Sequence, residues 1–181
     1  MQIKKTNLDG CYIIQPRLFK DERGSFFEGF NSKIFEELTG LNLDFVQDNQ
    51  STSSKGVLRG LHFQKGKYAQ AKLVRVVRGS VQDVVVDIRP KSKTFGMYFS
   101  IILSGENNTQ LFIPRGFAHG FLVLEENTIF TYKCDNFYNK ESESGIIYND
   151  VNLNIEWKNL DVDYKLSQKD LQLPKLEDLV L

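Results

Sequence analysis

The amino-acid sequence predicts an all-β fold, either a sandwich or a barrel of short strands. Short β-branched and aromatic runs follow one another along the chain and end at turn residues, which is the pattern of such folds. Strands and helices do not alternate, so a parallel nucleotide-binding sheet is not expected. A chain of 181 residues with 41% hydrophobic residues can bury one full core, and we expect a single domain over residues 1–181.

The N-terminal part of the chain is predicted to contain four strands and the one clear helix. The helix is placed at Asn31–Gly40, which begins with a capping asparagine and ends with a glycine. Within it, Ile34, Phe35 and Leu38 fall on one apolar stripe. Strands are expected around it at Cys11–Gln15, Ser25–Phe30, Phe45–Thr52 and Val57–Gln64.

The central stretch gives the strongest strand signal. Two valine-rich runs within Lys72–Arg89 flank Arg78-Gly79-Ser80, where the glycine supplies the positive φ of a tight turn. Further strands are expected at Met97–Leu103, Gln110–Ile113, Gly120–Leu124 and Thr128–Cys134, and one or two short helical turns at Asp163–Leu171.

Composition argues against several classes of function. Acidic and basic residues balance to a net charge of +0, which disfavours nucleic-acid polymers and acidic membranes as partners. No secretory signal and no run of ~18 apolar residues is found, so we expect a cytoplasmic protein in which Cys11 and Cys134 are reduced and partly buried. The signatures of dinucleotide binding, phosphoryl transfer and the serine-hydrolase elbow are also missing.

The chain has only two histidines, and each follows an Arg-Gly step. They lie in Gly56-Val-Leu-Arg-Gly-Leu-His-Phe-Gln64 and Ile113-Pro-Arg-Gly-Phe-Ala-His-Gly-Phe121. His62 and His119 are candidate acids or bases because an imidazole exchanges protons near neutral pH. The alternative is a buried histidine bonded to a backbone carbonyl. Strand alternation puts Arg59 and His62 on opposite faces, so both serve one pocket only if the strand twists or bulges at Gly60.

Three further side chains fit acid–base chemistry beside an imidazole. Lys72 can stabilise an enolate oxygen, Tyr132 can protonate a carbanion from the face opposite a histidine base, and Asp170 can fix the tautomer of an imidazole. The alternatives are a solvated strand end for Lys72, core packing for Tyr132 and a solvated carboxylate for Asp170. Near the N-terminus, Arg23 can clamp a phosphate.

A metal site is the competing interpretation of the histidines. Small barrels hold metals with three or four histidine and carboxylate ligands. This chain has neither a His-x-His step nor a third histidine, and two imidazoles with one carboxylate stay open as a facial ligand set.

Taken together, these segments resemble the dTDP-4-dehydrorhamnose 3,5-epimerase family over nearly the whole chain. The resemblance is carried by Asp21-Glu-Arg-Gly-Ser-Phe-Phe-Glu28, Gln47-Asp-Asn-Gln-Ser51, Gly56–Gln64, Lys72-Leu-Val-Arg-Val76, Thr94-Phe-Gly96, Gln110–Phe121, Tyr132-Lys133 and Leu166-Ser-Gln-Lys-Asp170. It implies a cupin-like β jelly roll (a double-stranded β-helix), a homodimer, no metal and no cofactor.

The same resemblance implies a reaction and a set of residues. The substrate class is a dTDP-4-keto-6-deoxy sugar, inverted at C3 and C5 to give dTDP-4-dehydro-L-rhamnose. His62 is implied as the base, Asp170 as its partner, Lys72 beside the enolate and Tyr132 as the acid. Substrate contacts are implied for Arg23, Glu28, Gln47, Asn49, Arg59, His119, Glu143 and Lys169, and stacking on thymine for Tyr138. Segment 23–28 is expected to reach the site of the partner subunit.

Departures from the family pattern are few. Phe63 stands in place of a frequent tyrosine, Ala71 in place of a frequent glycine, and the aromatic residues near Tyr138 and Tyr148 differ. These changes bear on base stacking and sugar fit more than on proton transfer. The alternatives are an epimerase that inverts one carbon or uses another nucleotide, a metal-dependent cupin, and a non-catalytic sugar-binding module.

Overall fold

Short strands dominate residues 1–179, the part of the chain that the computed structural model describes. The strands are β1 Gln2–Lys5, β2 Tyr12–Gln15, β3 Phe19–Asp21, β4 Gly24–Phe26, β5 Gln47–Ser53, β6 Leu58–Gln64, β7 Lys72–Arg78, β8 Ser80–Asp87, β9 Tyr98–Ser104, β10 Gln110–Ile113, β11 Phe117–Val123, β12 Thr128–Cys134 and β13 Glu143–Gly145. Helix α1 spans Ser32–Thr39 and α2 spans Gln168–Leu171, with 3-10 turns at Gly66–Tyr68, Lys140–Ser142 and Leu176–Asp178. The last two positions of the predicted domain, 180 and 181, lie outside the described residues.

The strands form two antiparallel sheets and a separate hairpin. One sheet has the order β1-β2-β10-β7-β12-β5, the other has the order β13-β6-β11-β8-β9, and β3 pairs only with β4 among the described strands. Apolar side chains of both sheets meet in one core, including Val74 and Phe130 from the first sheet and Val85 and Phe121 from the second. This double-sheet arrangement is a jelly roll, so the predicted all-β fold is confirmed.

The turn at Gly79 joins the two sheets. Gly79 has a φ of 77°, and a Cβ there would lie 2.3 Å from Thr128 Oγ1, so the predicted glycine turn is present. The two valine-rich runs do not pair with each other, because β7 pairs with β10 and β12 while β8 pairs with β9 and β11. Each run therefore occupies the interior of its own sheet and faces the shared core.

The predicted helix is present with the predicted caps. Asn31 Oδ1 accepts the Ile34 N–H at 3.1 Å, and Gly40 ends the helix in the left-handed region. Phe35 is buried, but Leu38 is 50% exposed, so the predicted three-residue stripe is wrong at Leu38. The helix is only eight residues long, and Phe35 is the one residue of the helix that is buried.

Several strand boundaries differ from the prediction. The strand expected at Ser25–Phe30 ends at Phe26, and the one expected at Gly120–Leu124 begins at Phe117, which places His119 inside β11. Both cysteines are buried and free, rather than partly buried. No helix within residues 1–179 is long and apolar enough to cross a membrane.

Candidate active site

Two adjoining cavities lie at the mouth of the jelly roll. The larger, about 390 Å³, is lined by Asn49, Gln50, Ser51, Arg59, His62, Lys72, His119, Phe121, Tyr132, Ser167, Lys169 and Asp170. The smaller, about 250 Å³, is lined by Gln47, Asn49, His62, Phe63, Gln64, Gln70, Lys72, Tyr132, Tyr138 and Glu143. Because Asn49, His62, Lys72 and Tyr132 line both, we treat the two as one cleft.

A bulge in β6 brings Arg59 and His62 to the same cleft. The pairing of β6 with β11 shifts register between His119 and Phe121, opposite Gly60, whose φ is 111°. A Cβ on Gly60 would lie 2.7 Å from the His119 carbonyl oxygen, so the close approach of the two strands requires glycine. The predicted bulge at Gly60 is confirmed.

His62 is paired with a carboxylate that also lines the cleft. Its Nε2 lies 2.5 Å from Asp170 Oδ1, so the alternative of a bond to a backbone carbonyl is wrong. Ser167 caps α2 and donates its hydroxyl to Asp170 Oδ2 at 2.8 Å. Burial alone would raise the pKa of Asp170, but the hydrogen bonds from His62 and Ser167 outweigh it and the pKa lies below its usual value. The carboxylate is therefore ionised at neutral pH, and Nε2–H of His62 donates to it.

His119 forms a second pair, with an aspartate that the sequence analysis does not single out. His119 Nε2 lies 2.9 Å from Asp83 Oδ2 on the neighbouring strand β8. Burial lowers the pKa of His119, against the opposing effect of Asp83, so the imidazole is neutral at pH 7. A signal was present in the sequence, since Asp83 is a charged residue inside a valine run.

Lys72 and Tyr132 lie side by side in the cleft, on the paired strands β7 and β12. Lys72 Nζ lies 5.9 Å from the centroid of the Tyr132 ring. Burial lowers the pKa of Lys72 and raises the pKa of Tyr132, so the phenol is protonated at neutral pH. The alternative of a solvated strand end for Lys72 is wrong, because its side chain lines the cleft.

Three residues form the rim above the smaller part of the cleft. The Tyr138 hydroxyl donates to Glu143 Oε2 at 2.7 Å, and Lys169 Nζ forms an ion pair with the same carboxylate. Burial would raise the pKa of Glu143, but the bonds from Lys169 and Tyr138 lower it. Gln47 Oε1 accepts the Tyr138 N–H at 3.0 Å, which fixes the loop that carries Tyr138.

Two predicted contact residues do not line the cleft of their own chain. Arg23 is in the exposed β3–β4 turn, where its guanidinium bonds to Asp21 at 2.5 Å. Glu28 accepts a hydrogen bond from Asn31 at 3.2 Å before α1. Within residues 1–179, no group of three His, Cys, Asp or Glu side chains is arranged to hold a metal ion.

A family profile described as dTDP-4-dehydrorhamnose 3,5-epimerase matches residues 5–178. The crystal structure of dTDP-4-dehydrorhamnose 3,5-epimerase from Elizabethkingia anophelis is 58% identical in sequence, covers 98% of this chain and 97% of its own, and has a TM-score of 0.95. The dTDP-6-deoxy-D-glucose-3,5-epimerase of Legionella pneumophila, solved in complex with dTDP-4-keto-L-rhamnose, is 49% identical over 99% of this chain and 94% of its own, with a TM-score of 0.95.

A more distant neighbour has a narrower activity. It is a 3'-monoepimerase from Streptomyces bikiniensis, solved in complex with dTDP-quinovose. It is 31% identical, covers 95% of this chain and 86% of its own, and has a TM-score of 0.90.

Proposed function

The chain belongs to the dTDP-4-dehydrorhamnose 3,5-epimerase family, and we propose that it inverts C3 and C5 of dTDP-4-dehydro-6-deoxy-D-glucose. The product is dTDP-4-dehydro-L-rhamnose, in dTDP-L-rhamnose biosynthesis. The observation that carries this proposal is the cleft in which the His62–Asp170 pair and Tyr132 lie together. A base held by a carboxylate and a protonated phenol are the two groups that an inversion through an enolate requires.

His62 is the base in this mechanism, and Nδ1 is its reactive atom, because Nε2–H is donated to Asp170. The C4 ketone acidifies the hydrogens on C3 and C5. Nδ1 takes one of these protons, and the electron pair of the broken C–H bond moves into the C4 oxygen as an enolate. The ionised Asp170 stabilises the imidazolium that forms.

Lys72 and Tyr132 complete the inversion. The ammonium of Lys72 stabilises the enolate oxygen, an interaction that strengthens as negative charge develops. Tyr132 donates its phenolic proton to the carbon from the face opposite His62, which inverts that centre. Proton exchange with solvent then returns the imidazole and the phenol to their starting states, and the second carbon reacts in the same way.

The remaining predicted residues are proposed substrate contacts. Arg59 and Lys169 supply positive charge for the diphosphate, and both line the larger part of the cleft. Tyr138 is 52% exposed, which leaves a ring face available for thymine. Gln47, Asn49, His119 and Glu143 supply the hydrogen bonds in this proposal.

Turnover in deuterated water tests the function. Because the new C–H bond is formed with a solvent-exchangeable proton from Tyr132, deuterium is expected at both C3 and C5 of the product, read by NMR. The control is His62→Asn, with dTDP binding confirmed by titration. Absence of label at both carbons in wild-type protein that binds dTDP would contradict the proposal.

A single-centre epimerase is the second candidate, and the 3'-monoepimerase among the structural neighbours favours it. The residues around the base do not determine how the sugar ring reorients between the two deprotonations. Label at only one carbon, with a product inverted only there, supports this candidate over the double epimerase.

We also propose a homodimer in which the β3–β4 hairpin serves the partner subunit. Phe19 is 51% exposed and Phe26 is 71% exposed, which favours contact with another surface. Mixing Arg23→Gln subunits with His62→Asn subunits tests this arrangement. If Arg23 acts across the interface, the mixture recovers about a quarter of wild-type activity, because each heterodimer regains one complete site. No recovery in a verified heterodimer contradicts it.

Residues 1–181 are proposed to be one epimerase domain that works in the cytoplasm. The main apolar cluster supports the first point, since both sheets contribute to it. Two free, buried cysteines fit a reducing compartment.

A further inference from the structure

Asp83 is an unusual buried carboxylate. It is 0% exposed and lies near the middle of β8, a strand whose eight residues are all buried. Its neighbours Val81 and Val85 belong to the core shared by the two sheets, and Val84 belongs to a second apolar cluster. Burying a carboxylate is costly unless several hydrogen bonds compensate.

The other buried aspartates within residues 1–179 each have several donors. Asp87 accepts bonds from the guanidinium and backbone of Arg89 and from two hydroxyls. Asp150 accepts three backbone N–H groups, and Asp170 accepts from His62 and Ser167. Asp83 has only His119, and its Oδ1 has no hydrogen-bond partner in the described part of the chain.

This difference indicates that Asp83 is not there to stabilise the fold. A carboxylate that tied down the chain would have several donors, as Asp87 and Asp150 have. Replacing a buried ion pair by apolar residues of similar size often leaves the stability of a protein unchanged or raises it. The single contact of Asp83 is with an imidazole that lines the cleft, so its effect is on His119.

The free nitrogen of His119 faces the cleft. Nδ1 has no hydrogen-bond partner within residues 1–179. Because it is not one of the fully buried side-chain atoms that lack a partner, it keeps some accessible surface. The His119 side chain is only 6% exposed and lines the larger part of the cleft. The accessible surface of Nδ1 is therefore in the cleft, next to His62, the cross-strand partner of His119.

We infer that Asp83 is a positioning residue that holds the His119 proton on Nε2, so that Nδ1 accepts a hydrogen bond from a ring hydroxyl of the sugar. A lone pair at this position repels the oxygens of a diphosphate and attracts an O–H group. Under the proposed function, on which the identity of the ligand rests, the donor is the hydroxyl on C2 or the hydroxyl on C3. His119 thereby orients the ring for His62.

The first test is the tautomer of His119, which needs no turnover. The chain has only two histidines, so ¹⁵N-histidine labelling gives two imidazole patterns, and His62→Asn leaves only that of His119. Wild-type His119 is expected to be neutral with its proton on Nε2, and Asp83→Asn is expected to populate the form protonated on Nδ1. A proton on Nδ1 in the wild type, or an unchanged pattern in Asp83→Asn, overturns the inference.

The second test separates positioning from stability. Asp83→Asn is expected to lower kcat/KM by about 10- to 100-fold without lowering Tm. Because Asp83 acts through His119, adding Asp83→Asn to His119→Asn should change the rate little further. The matched control is Asp87→Asn, which should lower Tm and leave kcat/KM unchanged.

Additive losses in the double variant, or full activity in Asp83→Asn, contradict the positioning role. Wild-type protein without epimerase activity, but with the expected His119 tautomer, contradicts the proposed function and leaves the role of Asp83 in fixing that tautomer standing.

Discussion

His62 and His119 are cross-strand partners on neighbouring strands, and the Nε2 atom of each is hydrogen-bonded to an aspartate. The two histidine–aspartate pairs lie at different depths in the fold. The His62 side chain is 29% exposed, and Asp170 comes from the short helix α2. His119 is 6% exposed, and Asp83 comes from an interior strand. The first imidazole is therefore open to solvent, whereas the second is enclosed between strands in the interior of its sheet.

The difference shows how one cleft can use two similar pairs for different tasks. A general base must alternate between neutral and charged forms, and a multiply bonded carboxylate beside it stabilises the charged form. A hydrogen-bond acceptor has to keep one tautomer, and burial opposes its protonation. Depth in the fold, more than residue type, is the reason we propose His62 as the base.

Substitution of each histidine gives the largest expected effect. His62→Asn should lower kcat by about 10²- to 10⁴-fold, because it removes the base. His119→Asn should lower kcat/KM by no more than about 100-fold, because it removes one hydrogen bond and leaves the base in place. Steady-state kinetics check both values, and dTDP titration verifies that each variant binds nucleotide. Equal losses of kcat would remove the distinction between the pairs.

A smaller effect is expected on acid stability, where the multiply bonded aspartates differ from ordinary surface carboxylates. Burial would raise the pKa of Asp87, but bonds from Arg89, Ser92 and Thr94 lower it to about 2. A carboxyl with a lowered pKa stabilises the fold above its unfolded pKa, and this contribution is lost as the pH falls toward the folded value. The free energy of unfolding should therefore drop by about 2 kcal/mol between about pH 4 and pH 2 because of Asp87.

Chemical denaturation across that pH range measures the loss. In Asp87→Asn the acid-dependent fall should be shallower, while the variant is less stable than wild type at neutral pH. Parallel curves for the two proteins would show that Asp87 does not contribute to acid unfolding.

The smallest expected effect concerns Ser167, which supports Asp170 in the His62–Asp170 pair. Ser167 caps α2 and bonds to Asp170. Ser167→Ala should lower stability by about 1 kcal/mol through loss of the cap and lower kcat by about tenfold through a less well fixed Asp170. Thermal unfolding and kinetics measure the two effects. A normal kcat in this variant would show that the imidazole alone orients Asp170.

Much of the fold could be predicted because the buried strands have a recognisable pattern of apolar residues. The strands Gln110–Ile113 and Thr128–Cys134 have the predicted boundaries. The glycine signals at positions 40, 60 and 79 also correspond to a helix end, a bulge and a turn. In contrast, β1, β3 and β13 are three or four residues long and mostly polar or exposed, so no apolar pattern marks them.

The sequence predicts less well which strands pair with each other and which side chains meet in the cleft. A glycine between two valine runs does not say whether the runs share a sheet, since that depends on which other strands flank each of them. Asp83 lies within a stretch whose valines indicate only a strand, and its partner His119 is 36 residues away. Glu28 was predicted from the family resemblance alone, and Arg23 from its charge and the resemblance; in this chain both lie away from the cleft.

Deuterium entry into the substrate, followed separately at C3 and C5 in the two histidine variants, tests the account most directly. With one base for both carbons, His62→Asn should stop exchange at C3 and at C5, and His119→Asn should keep exchange at both at a reduced rate. Exchange that persists at either carbon in His62→Asn, or that disappears at only one carbon in His119→Asn, would contradict a single base and give His119 a proton-transfer role.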